Sequence, residues 1–273
     1  MKFEHHIPTG ILGRYVECFF HFDQHESAHL IERFLPDGNV EIVFNLHDDP
    51  QFIYDNATLT EIQKCVNVWA SGVRTRPITI PSGAGSRMFV IIFKKGMAHP
   101  FFPIPMNELK DNVVQAEVLW KDEITLLRER LLEAATADER FVAAEKFLYE
   151  LLIPTNSPRT FVEYGVSRIL SDPTQTRLSR LTEEVGYSKK HFINKFKQDV
   201  GVSPKAYLRI MRFQRAIEEI ESRDYDWAEI ALDCGYYDQA HFINDFRTFS
   251  GFTPVEYARQ KNGNLNYVPV DKG

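Results

Sequence analysis

A chain of 273 residues, 44% hydrophobic and 26% charged, has the length of one to two globular domains and the apolar content to build a core. No apolar run approaches the roughly 18 residues of a membrane span, and the opening MKFEHHIPTG lacks the apolar segment of a signal peptide. The expected compartment is the cytoplasm, with no membrane partner. The formal charge of -6 would exclude a uniformly basic nucleic-acid binder, but it is unevenly spread: residues 1–158 hold 15 basic and 22 acidic side chains, 177–212 hold nine and three, and 213–261 five and ten. A local basic face matters more for DNA than the total.

From Phe3 to about Ile92, short apolar or alternating runs (Val40–Leu46, Phe52–Tyr54, Cys65–Ala70, Ile78–Ile80, Met88–Phe93) alternate with turn residues and predict β structure. In Pro36-Asp37-Gly38 the proline presets one torsion and the glycine supplies a positive one. Strands at this spacing predict a barrel or sandwich whose interior is either filled or open to a small ligand. Cys18, Cys65 and Cys234 are odd in number and lack a CxxC pair, which predicts buried thiols and neither a disulfide framework nor a cysteine zinc site.

The proline- and aromatic-rich segment after Phe93 predicts a packed loop leading into helices. Residues 120–135 carry Ile124, Leu127 and Leu131 on one stripe, which either covers the barrel or joins a homodimer. Thr136 with Glu139 forms a capping box for the next helix, whose apolar face is Phe141, Ala144, Phe147, Leu148 and Leu151. Polar residues 154–159, with two prolines, read as a linker between a sensory or dimerisation domain (1–153) and a helical domain (160–261). The tail 262–273 is expected to lack fixed structure.

The helical domain writes a single stretch twice: VGYSKKHFINKFKQDVGVSPKAY and CGYYDQAHFINDFRTFSGFTPVEY. Gly186, Tyr187, Phe192, Asn194, Phe196, Gly201, Pro204 and Tyr207 meet Gly235, Tyr236, Phe242, Asn244, Phe246, Gly251, Pro254 and Tyr257. The offset grows from 49 to 50 after the tyrosines, which assigns the extra residue to Ala240. Each copy predicts a short helix, a glycine turn and a capped second helix, with caps at Ser179, Ser188 and Ser203 and then Asp226, Asp238 and Thr253. That is the helix-turn-helix pattern, whose second helix enters the major groove.

Phenylalanines four apart face the core, which leaves Lys189, Lys190, Ile193, Asn194 and Lys197 outward in the first copy. Gln239, Ala240, Ile243, Asn244 and Arg247 correspond in the second. Asparagine and glutamine can pair with adenine, lysine engages phosphate or guanine, and isoleucine can touch a thymine methyl. A helix from Pro204 to about Ile220 spans roughly 25 Å, enough to hold two reading helices toward successive major grooves. His191 and His241, beside core phenylalanines, read as packing or phosphate contacts, and no catalytic residue is expected.

Residues 161–261 resemble the DNA-binding domain of AraC/XylS-type bacterial transcription regulators, through LSRLTEEVGYSKKHFINKFKQDVGVSPKAYL and IALDCGYYDQAHFINDFRTFSGFTPVEYAR. The resemblance implies an α+β protein: a cupin-like N-terminal barrel with attached helices, then two helix-turn-helix units joined by a long helix. It implies base-facing roles for Lys190, Ile193 and Asn194 and for Gln239, Ala240, His241 and Asn244, and RNA polymerase as a partner. Asn194 and Asn244 replace the arginine typical near the end of each reading helix. LPDGNVEIVFNL, SGVRTRPITI and KKGMAHPFF resemble the family's sensory domains, with Arg33, Glu41, Asn45 and Arg74 as candidate effector contacts. Two other classes stay open: a metal-dependent cupin enzyme using Cys18, His21, His25 and His29, and an effector-independent oligomerisation module. No cofactor or bound metal is expected on the leading reading.

Overall fold

A computed structural model of the chain describes residues 2–23, 30–83, 85–152, 160–222, 226–261 and 263–270. The strands are β1 (Lys2–His6), β2 (Val16–Asp23), β3 (Ile31–Phe34), β4 (Val40–Asn45), β5 (Gln51–Tyr54), β6 (Glu61–Cys65), β7 (Val68–Ser71), β8 (Ile78–Pro81), β9 (Arg87–Phe93) and β10 (Val113–Gln115). Helices α1 (Glu117–Trp120), α2 (Asp122–Glu133) and α3 (Ala137–Leu151) complete the first domain. The second domain contains α4 (Thr160–Ser171), α5 (Leu178–Glu184), α6 (Lys189–Val200), α7 (Pro204–Ser222), α8 (Trp227–Asp233), α9 (Gln239–Ser250) and α10 (Pro254–Gln260). A final strand, β11 (Tyr267–Pro269), returns to the barrel. The expected linker at 154–159 lies outside the described residues.

Two antiparallel sheets face each other, in the orders β1-β2-β9-β4-β7-β10 and β11-β3-β8-β5-β6. Side-chain alternation along β4 and β9 divides the layers. Ile42, Phe44, Phe89, Ile91 and Phe93 are fully buried against helix residues Trp120, Ile124, Leu127, Leu131 and Phe141. Glu41, Val43, Met88 and Val90 face a cavity between the sheets. Phe19, Phe44, Phe89 and Phe141 form a ring cluster with centroids 5.9–6.4 Å apart. Burial of one such side chain contributes about 1.5–3 kcal/mol. The stripe Ile124, Leu127 and Leu131 is therefore spent on covering the six-stranded sheet and is closed to a dimer partner. The capping box at Thr136 forms as the spacing predicts.

The run expected over Cys65–Ala70 breaks into two strands, because Asn67 adopts a positive φ of 54° and passes the chain from one sheet to the other. Larger is the correction at the C-terminus. Polar composition predicts no structure there, yet Tyr267, Val268 and Pro269 pair antiparallel with Phe34, Arg33 and Glu32 of β3. Val268 is 1% exposed. A three-residue strand has too little periodicity to be seen in sequence, and its partner lies more than 230 residues away.

The two domains also pack directly. Gly38, at φ +85°, lets the β3–β4 turn lie on α7, where an added Cβ would meet Met211 Cε at 2.6 Å. Gln214 of α7 donates to the Pro36 carbonyl at 2.8 Å. The end of α6 rests at Gly201 on the Met106 carbonyl, and Arg33 lies 4.7 Å over the Phe252 ring.

Candidate nucleic-acid interface

In the first unit, α5 leads through Gly186, at φ 71°, into α6, which is capped when Ser188 accepts from the His191 amide. Arg177, with no side-chain capping bond, occupies the N-cap of α5, so Ser179 lies inside the helix and is not its cap. Phe192 and Phe196 are 1% and 0% exposed, and this pins the opposite face of α6 outward. Lys189, Lys190, Asn194 and Lys197 are exposed, and Ile193 is partly buried. His191 stacks on Tyr187 at 5.2 Å, and Tyr187 leans on Phe161 at 4.4 Å. The histidine stacks on a neighbouring ring yet stays exposed, so packing and a phosphate contact both remain open to it.

The second unit repeats this construction with α8, Gly235 (φ 76°) and α9, whose cap Asp238 accepts from the His241 amide at 2.7 Å. Asp226 caps α8 through the Ala228 and Glu229 amides. The caps correct the register of the repeat. Ser188 and Asp238 are already 50 apart, so Lys189 matches Gln239 and Lys190 matches Ala240. The extra residue lies in the turn between Gly235 and Asp238, and Ala240 is an ordinary helix position. Tyr236 is turned into the core, 4% exposed, while Tyr237 is 88% exposed. Gln239, Ala240, His241, Asn244 and Arg247 are exposed; Ile243 is partly buried, like Ile193.

The rod between the units is α7, 19 residues and about 28 Å long. Ser203 and Thr253 cap α7 and α10 at equivalent places, and Gly201 and Gly251 end α6 and α9 with positive φ. Arg209 of α7 grips the Asp245 carboxylate of α9 with two bonds, from Nε at 3.0 Å and Nη2 at 2.6 Å. That bonding raises the Arg209 pKa, and Asp245 is turned inward, its side chain 6% exposed. Asp245 is therefore spent chiefly on the rod, with His241 Nε2 of the outward face 3.8 Å from its Oδ2. Arg212 donates to the carbonyls of Pro173 and Thr174, which ties the rod to the loop before α5. Spacing could not reveal these partners, since they lie more than 35 residues apart.

Of the candidate effector contacts, two meet and two do not. Glu41 and Arg74 line a cavity of about 170 Å³ between the sheets, with Phe20, Trp69, Val90 and Tyr267 among its walls. Arg74 is 8% exposed; its Nη2 reaches Ser71 Oγ at 3.3 Å and its Nε has no partner among the described residues. Burial, reinforced by Asp37 and opposed by Arg74, pushes the Glu41 carboxyl up to about 7. Asn45 instead holds a turn, donating to the Asp49 carbonyl and accepting from the His47 amide. Arg33 points away from the cavity, bonded to the Asn56 carbonyl at 2.6 Å and stacked on Phe252. Both are polar residues on strands, a pattern that does not tell inward from outward when the two faces are covered.

Among the described residues no group of three or more His, Cys, Asp or Glu side chains could hold a metal, and no helix is long and apolar enough to cross a membrane. His21 faces Glu4 at 3.4 Å; His25 and His29 lie outside the described residues. Cys65 and Cys234 are buried, Cys18 half-buried.

Residues 181–260 match the family described as a helix-turn-helix domain, and residues 4–115 match a domain of unknown function, DUF6597. An uncharacterized HTH-type transcriptional regulator of Haemophilus influenzae is 30% identical over 92 residues, 33% of this chain and 31% of that protein. The HTH-type transcriptional regulator ArgR of Pseudomonas aeruginosa is 27% identical over 108 residues, 38% of this chain and 32% of its own. The chain thus spans about a third of the length of these curated relatives. Among solved structures, ToxT from Vibrio cholerae O395 aligns over 96% of this chain and 99% of its own, at 13% identity and a TM-score of 0.46. The match over 181–260, which falls on two capped units joined by one rod, makes this C-terminal part of the chain an AraC-type helix-turn-helix domain.

Proposed function

We propose that the protein is a sequence-specific transcriptional regulator that reads two DNA half-sites with α6 and α9 and senses a small molecule in the cavity of its N-terminal barrel. The observation that carries the DNA reading is the pair of exposed helix faces held on one rod, each with an asparagine at the same register and a cation one turn further on, Lys197 or Arg247. Lys189, Lys190 and Lys197 engage phosphates or guanine, Asn194, Asn244 and Gln239 read adenine edges, and Ile193 and Ala240 offer apolar contact to thymine. His241 and Arg247 complete the second face.

Sensing rests on the cavity, where Arg74 presents a donor that no group among the described residues takes. The family resemblance adds RNA polymerase as a proposed partner, and the choice between activation and repression stays open. A homodimer would have to use a surface other than the buried stripe of α2. Genome-wide mapping of bound sites tests the DNA reading. The expected result is a bipartite motif with two blocks about 10–11 base pairs apart. Binding with no shared motif, or to a single block, would contradict it.

A further inference from the structure

The cavity between the sheets is not built by the N-terminal domain alone. Its wall includes Tyr267, which the chain supplies only after the second reading unit is complete. Three observations make this wall a structural element. β11 extends the edge of the five-stranded sheet, with bonds from the Leu35 amide to the Asn266 carbonyl and from the Val270 amide to the Ile31 carbonyl. The Tyr267 ring packs on Phe34 at 4.9 Å. Just before the strand, Asn266 exchanges two amide bonds with Gln214 of the rod, at 2.7 and 3.2 Å, while Gln214 also holds the Pro36 carbonyl.

Lys261, at the end of α10, donates to the Ile220 carbonyl, so the connection from the second unit is anchored to α7 before it reaches the barrel. Arg33, paired with Val268 in the sheet, meets the second unit again at Phe252, beside the left-handed Gly251 that ends α9.

The cavity's chemistry limits what it can hold. A volume of about 170 Å³ compares with the roughly 150 Å³ that accommodates benzene, so a single ring with a small substituent fits. Phe20, Trp69 and Val90 supply apolar walls. At the polar end Arg74 offers an Nε donor with no partner among the described residues, and Glu41 a carboxyl that balances the guanidinium where it is ionised, above about pH 7; Glu32 lines the same cavity. A charged guest would leave a net charge in a desolvated site, whereas a neutral group with an adjacent acceptor and donor would satisfy both residues.

We propose that the cavity takes a neutral single-ring molecule bearing an amide- or phenol-type group, and that β11, through Tyr267, makes its occupancy stabilise the docking of the second reading unit on the barrel. This deepens the sensing role in the proposed function and rests on it. A guest that touches Tyr267 favours the docked arrangement by as much as its affinity differs between docked and undocked forms. Because β11 enters the sheet by main-chain bonds, its loss would open the cavity and free the unit together.

The test uses the full chain with benzamide and phenol as neutral probes and benzoate and benzylammonium as charged ones, with binding followed by ligand-observed NMR and amide hydrogen exchange in the same samples. The neutral probes should bind saturably, at least tenfold more tightly than the charged ones. They should slow exchange in residues 31–34, 239–260 and 267–269. Tyr267→Ala should weaken neutral-probe binding at least tenfold and abolish the slowing in 239–260, with Tyr267→Leu as a second variant should the alanine form not fold and Tyr267→Phe retaining binding. If no probe binds the wild type, the sensing reading and this inference both fail. If charged probes bind as well as neutral ones, the ligand class is wrong. If neutral probes bind but exchange in 239–260 ignores both them and the Tyr267 variants, the cavity remains a site and the coupling through β11 is overturned.

Discussion

Arg209 on the rod and Asp245 on the second reading helix form a two-pronged ion pair, at 2.6 and 3.0 Å, that fixes how α9 sits on α7. At the matching place in the first unit stands Lys195, so the two reading helices are attached to one rod by different chemistry. Removing the arginine strands a carboxylate whose side chain is only 6% exposed. Arg209→Met should cost roughly 2–3 kcal/mol, below the roughly 3–5 of a fully buried pair because Arg209 is 39% exposed. Chemical denaturation should show the loss concentrated in the second unit. A double variant with Asp245→Asn should recover some of it. Additive losses in the two single changes would mean that the pair does not act as a unit.

On the proposed function, the outward side chains of α6 divide into readers and anchors. Asn194→Ala should cost about 1–3 kcal/mol on the cognate site and little on mutated sites, so sequence preference relaxes. Lys197→Ala should weaken binding to every sequence and lower the salt slope by about 1. Fluorescence anisotropy against cognate and scrambled duplexes at several salt concentrations separates the two. Wild-type specificity and slope in both variants would refute this reading face.

The two faces also differ in charge, and the difference is measurable. Lys189, Lys190 and Lys197 are exposed on α6, whereas α9 exposes only Arg247 among its lysines and arginines. Removing the three lysines should reduce the logarithmic salt slope by roughly 2.7, and removing Arg247 by roughly 0.9, at about 0.9 per phosphate neutralised. The first unit then anchors the protein and the second adds conditional contacts. Equal reductions would overturn that ranking. Asp245 does not offset Arg247 here, because its charge is taken up by Arg209.

Much of this architecture is legible in the sequence wherever its cause is local. Ser188, Asp238 and Thr253 cap helices because each side chain reaches an amide three residues on, a relation that spacing displays. Phe192, Phe196, Phe242 and Phe246 announce their burial by a period of four. The register between the copies is less secure, since Tyr236 and Tyr237 both resemble Tyr187 and only the cap at Asp238 shows which positions correspond. The cavity escapes the sequence for a different reason. Glu41, Arg74 and Tyr267 come from β4, the loop after β7 and β11, and no local pattern joins them. Arg33 and Asn45 look the same in sequence as Glu41, and only the pairing of the strands shows that one stacks on the second unit and the other braces a turn.

The carboxyl of Glu41 makes stability depend on pH with a definite sign. Burial raises it to about 7, Asp37 adds to the rise and Arg74 opposes it. An acid whose folded value lies above its unfolded one, near 4.5, binds its proton more tightly in the folded state. The resulting stability is fully present below about pH 4.5 and is lost as pH rises through about 7. Glu41→Gln mimics the protonated form at every pH. The variant should match the wild type near pH 4.5 and exceed it at pH 8 by on the order of 2 kcal/mol, read as a higher melting temperature. A difference independent of pH, or one in which the variant is the less stable form at pH 8, would mean that Arg74 holds Glu41 ionised and that the cavity contains a settled ion pair.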